Sequence, residues 1–317
     1  MSLRWRHRDP GEVHGFGPAT GDGVWRSRAG RRAALRQRGA LAASVRVAGH
    51  FGEWVQGRLG PAGPVVLITL AVRERAVTAR WRPGHGFQIH DPADLLPSPL
   101  RRALLRRLAP LPRGTLSLSA DMPPGAGCGS STAALTAVLR LLAPGAAMWT
   151  LAKAVWRIEG ATDPLMMPVP ETHLWAPRAA HSLARLPALP AADVLGGFCP
   201  GRARTDPTDH RFADVSDLVA AWPGPAAAGD LPALAALATQ SAQRNHALRG
   251  GGDLAALEAA ARTTGALGLV IGHTGTAHGL VFPPRGAPET AIATLRRAGY
   301  RDVRRHALRP ASGLAPL

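Results

Sequence analysis

Pro123-Pro124-Gly125-Ala126-Gly127-Cys128-Gly129-Ser130-Ser131-Thr132-Ala133-Ala134 is the stretch from which the rest of this chain is read. Before it, Thr115–Ala120 alternates apolar and polar residues and predicts a strand; after it, the alanine-rich run from about Ser130 to Leu142 predicts a helix. Gly125, Gly127 and Gly129 would weaken either element, because glycine loses the most backbone entropy on ordering. Their use lies in positive φ angles and in letting another group approach the main chain. Ser130 and Ser131 fall where helix caps fall. Such a turn leaves backbone N–H groups without internal partners at the positive end of the helix dipole. An anion is the natural occupant, and phosphate is the commonest. No Gly-Lys-Ser/Thr follows, so this is not a Walker loop, and the glycine spacing is wrong for a dinucleotide fingerprint.

The pattern P-x-x-x-G-x-G-S-S-x-A resembles the phosphate-binding loop of the GHMP small-molecule kinases, the group of galactokinase, homoserine kinase and mevalonate kinase. Cys128 stands where that family usually has Leu, and Thr132 where it often has Ala or Gly. The resemblance implies an α+β fold in two parts, with the ATP site in the cleft between an N-terminal and a C-terminal α+β domain. It also implies a left-handed βαβ crossover, an exception to the usual hand. ATP would lie on Pro123, Gly125, Gly127, Cys128, Gly129, Ser130, Ser131 and Thr132.

With three further stretches, this loop makes four motifs that occur along the chain in the family's order. Glu159-Gly160-Ala161-Thr162-Asp163 closes the next helix, Met148–Glu159. Phosphoryl transfer needs Mg²⁺ held by a carboxylate and a hydroxyl, and a carboxylate to orient the acceptor's hydroxyl. By the resemblance Ser131 and Glu159 are the Mg²⁺ ligands, Ser131 and Asp163 the catalytic residues, and Asp163 the base; Glu159 and Asp163 could exchange roles. Gly52-Glu53-Trp54-Val55-Gln56-Gly57 resembles the G-E-L-x-Q-G stretch of the L-threonine kinase branch, whose product serves the cobalamin side chain. The proline usual before it is replaced by Ala48-Gly49; Glu53 would grip the acceptor's ammonium and Gln56 would bond substrate or backbone. Gly272-His273-Thr274-Gly275-Thr276-Ala277-His278-Gly279 resembles the late A-H-S-G-T-x-x-G stretch of the same branch, with Gly275 and Thr276 beside the substrate.

The chain of 317 residues is 46% hydrophobic, enough for a sizeable core and about two domains. Two distant cysteines, Cys128 and Cys199, exclude a disulfide framework and a cysteine-built metal site, and point to a reducing cytoplasm. No apolar run approaches the roughly 18 to 20 residues that span a bilayer, and the start is no secretory signal. The net charge of +17 is almost all arginine, Lys153 being the only lysine. It reads as solvated surface arginines, or as a site for an anionic partner. Residues 1–44 form a basic extension expected to be disordered, with a nucleic-acid arm as the alternative. The expected domains are 45–195, ATP-binding, and 196–317, α+β. Strands are expected at Ser44–Ala48, Val65–Val72 and Arg75–Trp81, and at Val194–Arg204 with a bulge at Gly196-Gly197; Ala161–Leu195 reads as irregular. Ser241 and Asn245, one helical turn apart, read as surface helix, with a place facing the cleft as the alternative.

The sequence thus predicts an ATP- and Mg²⁺-dependent kinase acting on a small hydroxyl acceptor, L-threonine first. A kinase for another small alcohol or amino acid, an ATP-dependent decarboxylase of the same fold, and a non-catalytic arginine-rich nucleic-acid-binding or regulatory protein are the alternatives.

Overall fold

The computed structural model describes residues 43–200, 206, 208–273 and 276–309. Most of the 1–44 extension, together with Gly275, lies outside them. Ten strands form one sheet: β1 (Ala43–Arg58), β2 (Val65–Pro83), β3 (Phe87–His90), β4 (Gly114–Ala120), β5 (His173–Ala176), β6 (His181–Arg185), β7 (Ala192–Phe198), β8 (Gly268–Ile271), β9 (Ala277–Phe282) and β10 (Arg301–Leu308). The order is β10-β7-β9-β8-β1-β2-β4-β3, with the β5–β6 hairpin attached to β2. Pairings are antiparallel except β3 with β4, which are parallel and joined through helix α1 (Ser98–Leu108). The architecture is α+β.

Two long strands replace the short ones expected. β1 runs unbroken through Gly49–Gly57, and the ladder to β2 absorbs the irregularity as register shifts after Ala48, His50 and Glu53. Gly52 makes this feasible: its φ of 77° is left-handed, and a Cβ there would lie 2.9 Å from the Ile271 carbonyl carbon. β7 pairs evenly with β9 through Gly196 and Gly197; the irregularity is on the β10 side, between Arg301 and Arg304. The boundary expected at 195/196 falls inside β7. Ala161–Leu195 holds β5 and β6 rather than a structureless run.

Helix α2 (Ser130–Leu142) is apolar on nearly every side and packs on β1 and β2. Its alanines combine high helix propensity with close approach to the sheet. Helix α3 (Met148–Glu159) lies against it. After α4 (Ser216–Ala221) and α5 (Pro223–Ala228), α6 (Leu231–Arg249) covers β1 and β8; the Asp230 side chain caps it at Ala233 N. Asp253 caps α7 (Leu254–Thr264), and α8 (Thr290–Arg297) leads to β10. Strand periodicity splits the core by sheet face: Val194, Val270 and Val281 join the cluster with α2, while Leu195, Leu269 and Leu280 join the one with α7 and α8.

Among the arginines, Arg75 on β2 is fully buried. Its guanidinium stacks 4.7 Å from the Phe198 ring centroid and 5.5 Å from that of Phe51. It donates to Asp302 Oδ2 (2.7 Å) and Asp302 O (3.0 Å), tying β2 to the edge strand β10. Removing it leaves a cavity and leaves Asp302 with Arg304 alone as its ion-pair partner among the described residues. Arg75→Ala is expected to lower stability by about 3–5 kcal/mol in urea unfolding. Arg102→Ala on the exposed face of α1 should stay within about 0.5 kcal/mol.

Candidate functional site

Between β4 and α2 the chain makes a turn whose glycines all have positive φ: 70° at Gly125, 74° at Gly127 and 65° at Gly129. The cap of α2 is Gly129 in the left-handed conformation, not a serine as expected; Ser130 and Ser131 are the first helical residues, and no side chain caps this end. Gly129 is the residue the position tolerates, because a Cβ there would sit 2.6 Å from His50 Cδ2 and 2.9 Å from Asp163 Oδ2. Two turn carbonyls are tied down from behind. Ala126 O accepts from Thr276 N (3.2 Å) and Ala277 N (3.1 Å), and Cys128 O accepts from His50 N (3.2 Å). The N–H groups of Gly127, Cys128, Gly129, Ser130 and Ser131 have no acceptor among the described residues. The turn is therefore a cradle of free donors at a helix N-terminus. Cys128 contributes main chain only: burial pushes its thiol up to about 12. Pro123 is half-buried at the entrance to the turn.

Both carboxylates expected beside the turn lie there. Glu159, at the end of α3, accepts from Ser131 Oγ (3.0 Å) and Thr132 Oγ1 (2.5 Å). Thr132 is buried and its hydroxyl is committed to Glu159, so its side chain does not face the cradle as the sequence suggested. Burial pushes the Glu159 carboxyl up to about 8, against both hydrogen bonds. A buried carboxylate oxygen beside a hydroxyl is a donor set suited to a hard divalent cation, and Mg²⁺ fits it. Gly160 in the left-handed conformation ends α3, and two bonds hold the segment that follows: Thr162 N to Pro177 O (3.0 Å) and Trp175 Nε1 to Thr162 O (2.6 Å). They present Asp163, which remains partly exposed.

His50, absent from the sequence-based assignment, joins these groups. Its Nε2 is 3.3 Å from Asp163 Oδ2 and its Nδ1 is 3.4 Å from Glu53 Oε1. Glu53 is 2% exposed, so it serves His50 and is not offered to an acceptor's ammonium, as the motif suggested. The reason is β1's continuity, which turns Glu53 inward between Thr69 and Ile271 in the sheet. Burial works against charge on His50, but Glu53 and then Asp163 overcome it and raise the imidazole to about 9. His50, Glu53 and Asp163 offer ligand atoms within 4.8 Å of one another. An imidazole protonated on both nitrogens has no lone pair to offer, so a cation here would have to displace its proton.

Gln56 faces the interior too. Its N–H donates to Ser241 Oγ (2.9 Å), its amide donates to Ile271 O (3.0 Å), and its Oε1 meets His273 Nδ1 at 3.1 Å. Ser241 and Asn245 are buried under this network instead of lying on a surface helix; Asn245 donates to the His273 carbonyl (3.4 Å). Thr276 touches the turn through its backbone. Phe212, stacked on His273, carried no sequence signal. His50 carried one, since it sits three residues before Glu53 in a quoted motif, but its pairing with Asp163 depends on chain ends that only folding joins.

The raised His50 value fixes the sign of a pH effect. A group whose folded pKa exceeds its unfolded value stabilises below the unfolded value and loses that contribution as pH rises through the folded one. The stability gap between wild type and His50→Gln is expected to be largest below about 6.5 and to shrink as pH rises through about 9, read from thermal melts of metal-free protein. In NMR titration the His50 ring should still be protonated at pH 8.

No family model and no curated protein matches this chain. Solved structures do. The mevalonate kinase of L. major in complex with R-mevalonate superposes with a TM-score of 0.58 at 14% identity, covering 85% of this chain and 97% of that one. Streptococcus pneumoniae phosphomevalonate kinase in complex with phosphomevalonate and AMPPNP gives 0.58 at 14%, covering 84% and 100%. Homoserine kinase from Cytophaga hutchinsonii gives 0.53 at 14%, covering 84% and 93%. The chain is similar in structure to GHMP kinases over most of its length, and shares their α+β fold.

Proposed function

We propose that this chain is a GHMP-type small-molecule kinase that transfers the γ-phosphate of ATP to a hydroxyl, with L-threonine the first acceptor to test. The observation that carries the reading is the meeting of three features at one turn: unpaired N–H groups, Glu159 on Ser131 Oγ at 3.0 Å, and Asp163 against Gly129. Free donors suit a polyphosphate, a carboxylate–hydroxyl pair suits its cation, and a second, partly exposed carboxylate suits the acceptor.

In this reading the main chain from Gly125 to Ser131 donates to the phosphate oxygens. Ser131 and Glu159 hold Mg²⁺, which neutralises charge on the phosphates when bound. Asp163 accepts the proton of the acceptor hydroxyl as its oxygen bonds to the γ-phosphorus and the bridge to ADP breaks. His50, charged and fixed by Glu53, holds Asp163 in place. The rate gain comes from positioning and fixed charge. Gly272 and Thr276 border the turn on its opposite side, where a bulky side chain would block access: a Cβ on Gly272 would already lie 3.3 Å from Gly127 O.

Asp163→Asn is expected to lower kcat by at least about 100-fold while the affinity for Mg·AMP-PNP changes little. Phosphorylated product is read by mass, and nucleotide affinity by calorimetry. Unchanged turnover would remove Asp163 from its role. Ser131→Ala should weaken binding of Mg·AMP-PNP more than binding of metal-free AMP-PNP.

A further inference from the structure

His273 is held in one orientation and one tautomer by its neighbours. The Ile271 carbonyl can only accept, so the Gln56 amide nitrogen must face it, at 3.0 Å. Gln56 Oε1 then faces His273 Nδ1 at 3.1 Å, and that nitrogen must carry the proton. Phe212 stacks parallel on the ring at a centroid distance of 4.7 Å, and Asn245 holds the residue's own carbonyl. Burial, then Arg249, push the imidazole down to about 3, so it is neutral. Nε2, on the far edge of the ring from Gln56, is left with a bare lone pair and no partner among the described residues. The ring lies within the electrostatic reach of Asp163, and Gly272 before it abuts Gly127 of the turn.

The same wall carries positive charge. Arg178 and Arg249 place their guanidinium carbons 5.3 and 4.8 Å from the Phe212 centroid. Arg178 donates to the Asp209 carbonyl, and Arg249 donates to Asp209 Oδ2 and the Arg211 carbonyl. These bonds fix the two guanidiniums, and their charge reaches the His273 ring.

We propose that His273 Nε2 is the hydrogen-bond acceptor that selects the phosphate-accepting substrate, favouring a compact molecule with an N–H or O–H donor beside its reactive hydroxyl and an anionic group at the same end, of the hydroxy amino acid class. This rests on the kinase reading above. The physical basis is asymmetric: a substrate with the donor satisfies Nε2, while one without it covers the lone pair and leaves it unpaired.

The test uses L-threonine, L-serine and L-homoserine against 3-hydroxybutyrate and 3-hydroxypropanoate, which lack the ammonium, with product read by mass. Wild type should favour the amino acids by at least about tenfold in kcat/KM. His273→Phe keeps the stack on Phe212 and removes Nε2; it should raise the acceptor KM about 10- to 100-fold, leave the ATP KM unchanged and erase the preference. His273→Gln, which can return an oxygen near the Nε2 position, should recover part of both. Equal use of the deaminated compounds by wild type, a result that needs no variant, overturns the inference, as does an unchanged acceptor KM in His273→Phe. Mg·AMP-PNP is added separately in thermal melts. Stabilisation without phosphorylation of any compound in the panel overturns the His273 assignment alone. Absence of both stabilisation and product overturns the kinase reading with it.

Discussion

The hydrogen bonds that hold the carbonyls of the Pro123–Ala134 turn are the constraint on which the site depends. Ala126 O is taken by the backbone of Thr276 and Ala277, and Cys128 O by the backbone of His50. A peptide plane whose carbonyl is fixed on one side must present its neighbouring N–H groups on the other. Donors that would be a liability in a core thereby become a surface for an anion. The two clasping segments are far apart in sequence, in β1 and at the start of β9, so the cradle exists only when the sheet is assembled.

Charge is layered around that cradle. The helix N-terminus is positive, and Glu159 stands beside it with two hydroxyls already donating to the carboxylate. On the other side a protonated His50 stands between Asp163 and the buried Glu53. The imidazole is the only cation in contact with Asp163 among the described residues. Glu53, sealed from solvent, meets His50 and not the cradle; burial pushes its carboxyl up to about 8, against the attraction of the imidazole. The arrangement separates a buried carboxyl that burial pushes up to about 8 from a partly exposed one that lies 3.3 Å from the imidazole.

How much of this could be read from the chain follows from range. The turn was legible because its glycines, serines and flanking elements are consecutive, and β4 and α2 fall where the sequence places them. Glu159 and Asp163 were legible for the same reason, one closing the helix whose end Gly160 marks and the other lying just past it. What failed was continuity and burial. Gly49 and Gly52 read as a break after a short strand, whereas they let β1 bend and continue against the turn. Glu53 read as a substrate ligand because nothing local shows that His50 lies across it. Ser241 and Asn245 read as surface because α6 has weak amphipathic patterning; a buried network with Gln56 and His273 recruits both. Arg75 read as one more solvated arginine, and its burial depends on Asp302, which lies in the last strand.

The central claim is that the free main-chain donors of the turn bind the phosphates of a nucleotide. Amide hydrogen exchange, followed with and without Mg·AMP-PNP, tests it at the atoms concerned. The account predicts strong slowing of exchange in the segment from Gly125 to Thr132, with smaller changes elsewhere. Unaltered exchange there at a nucleotide concentration that saturates binding would contradict it.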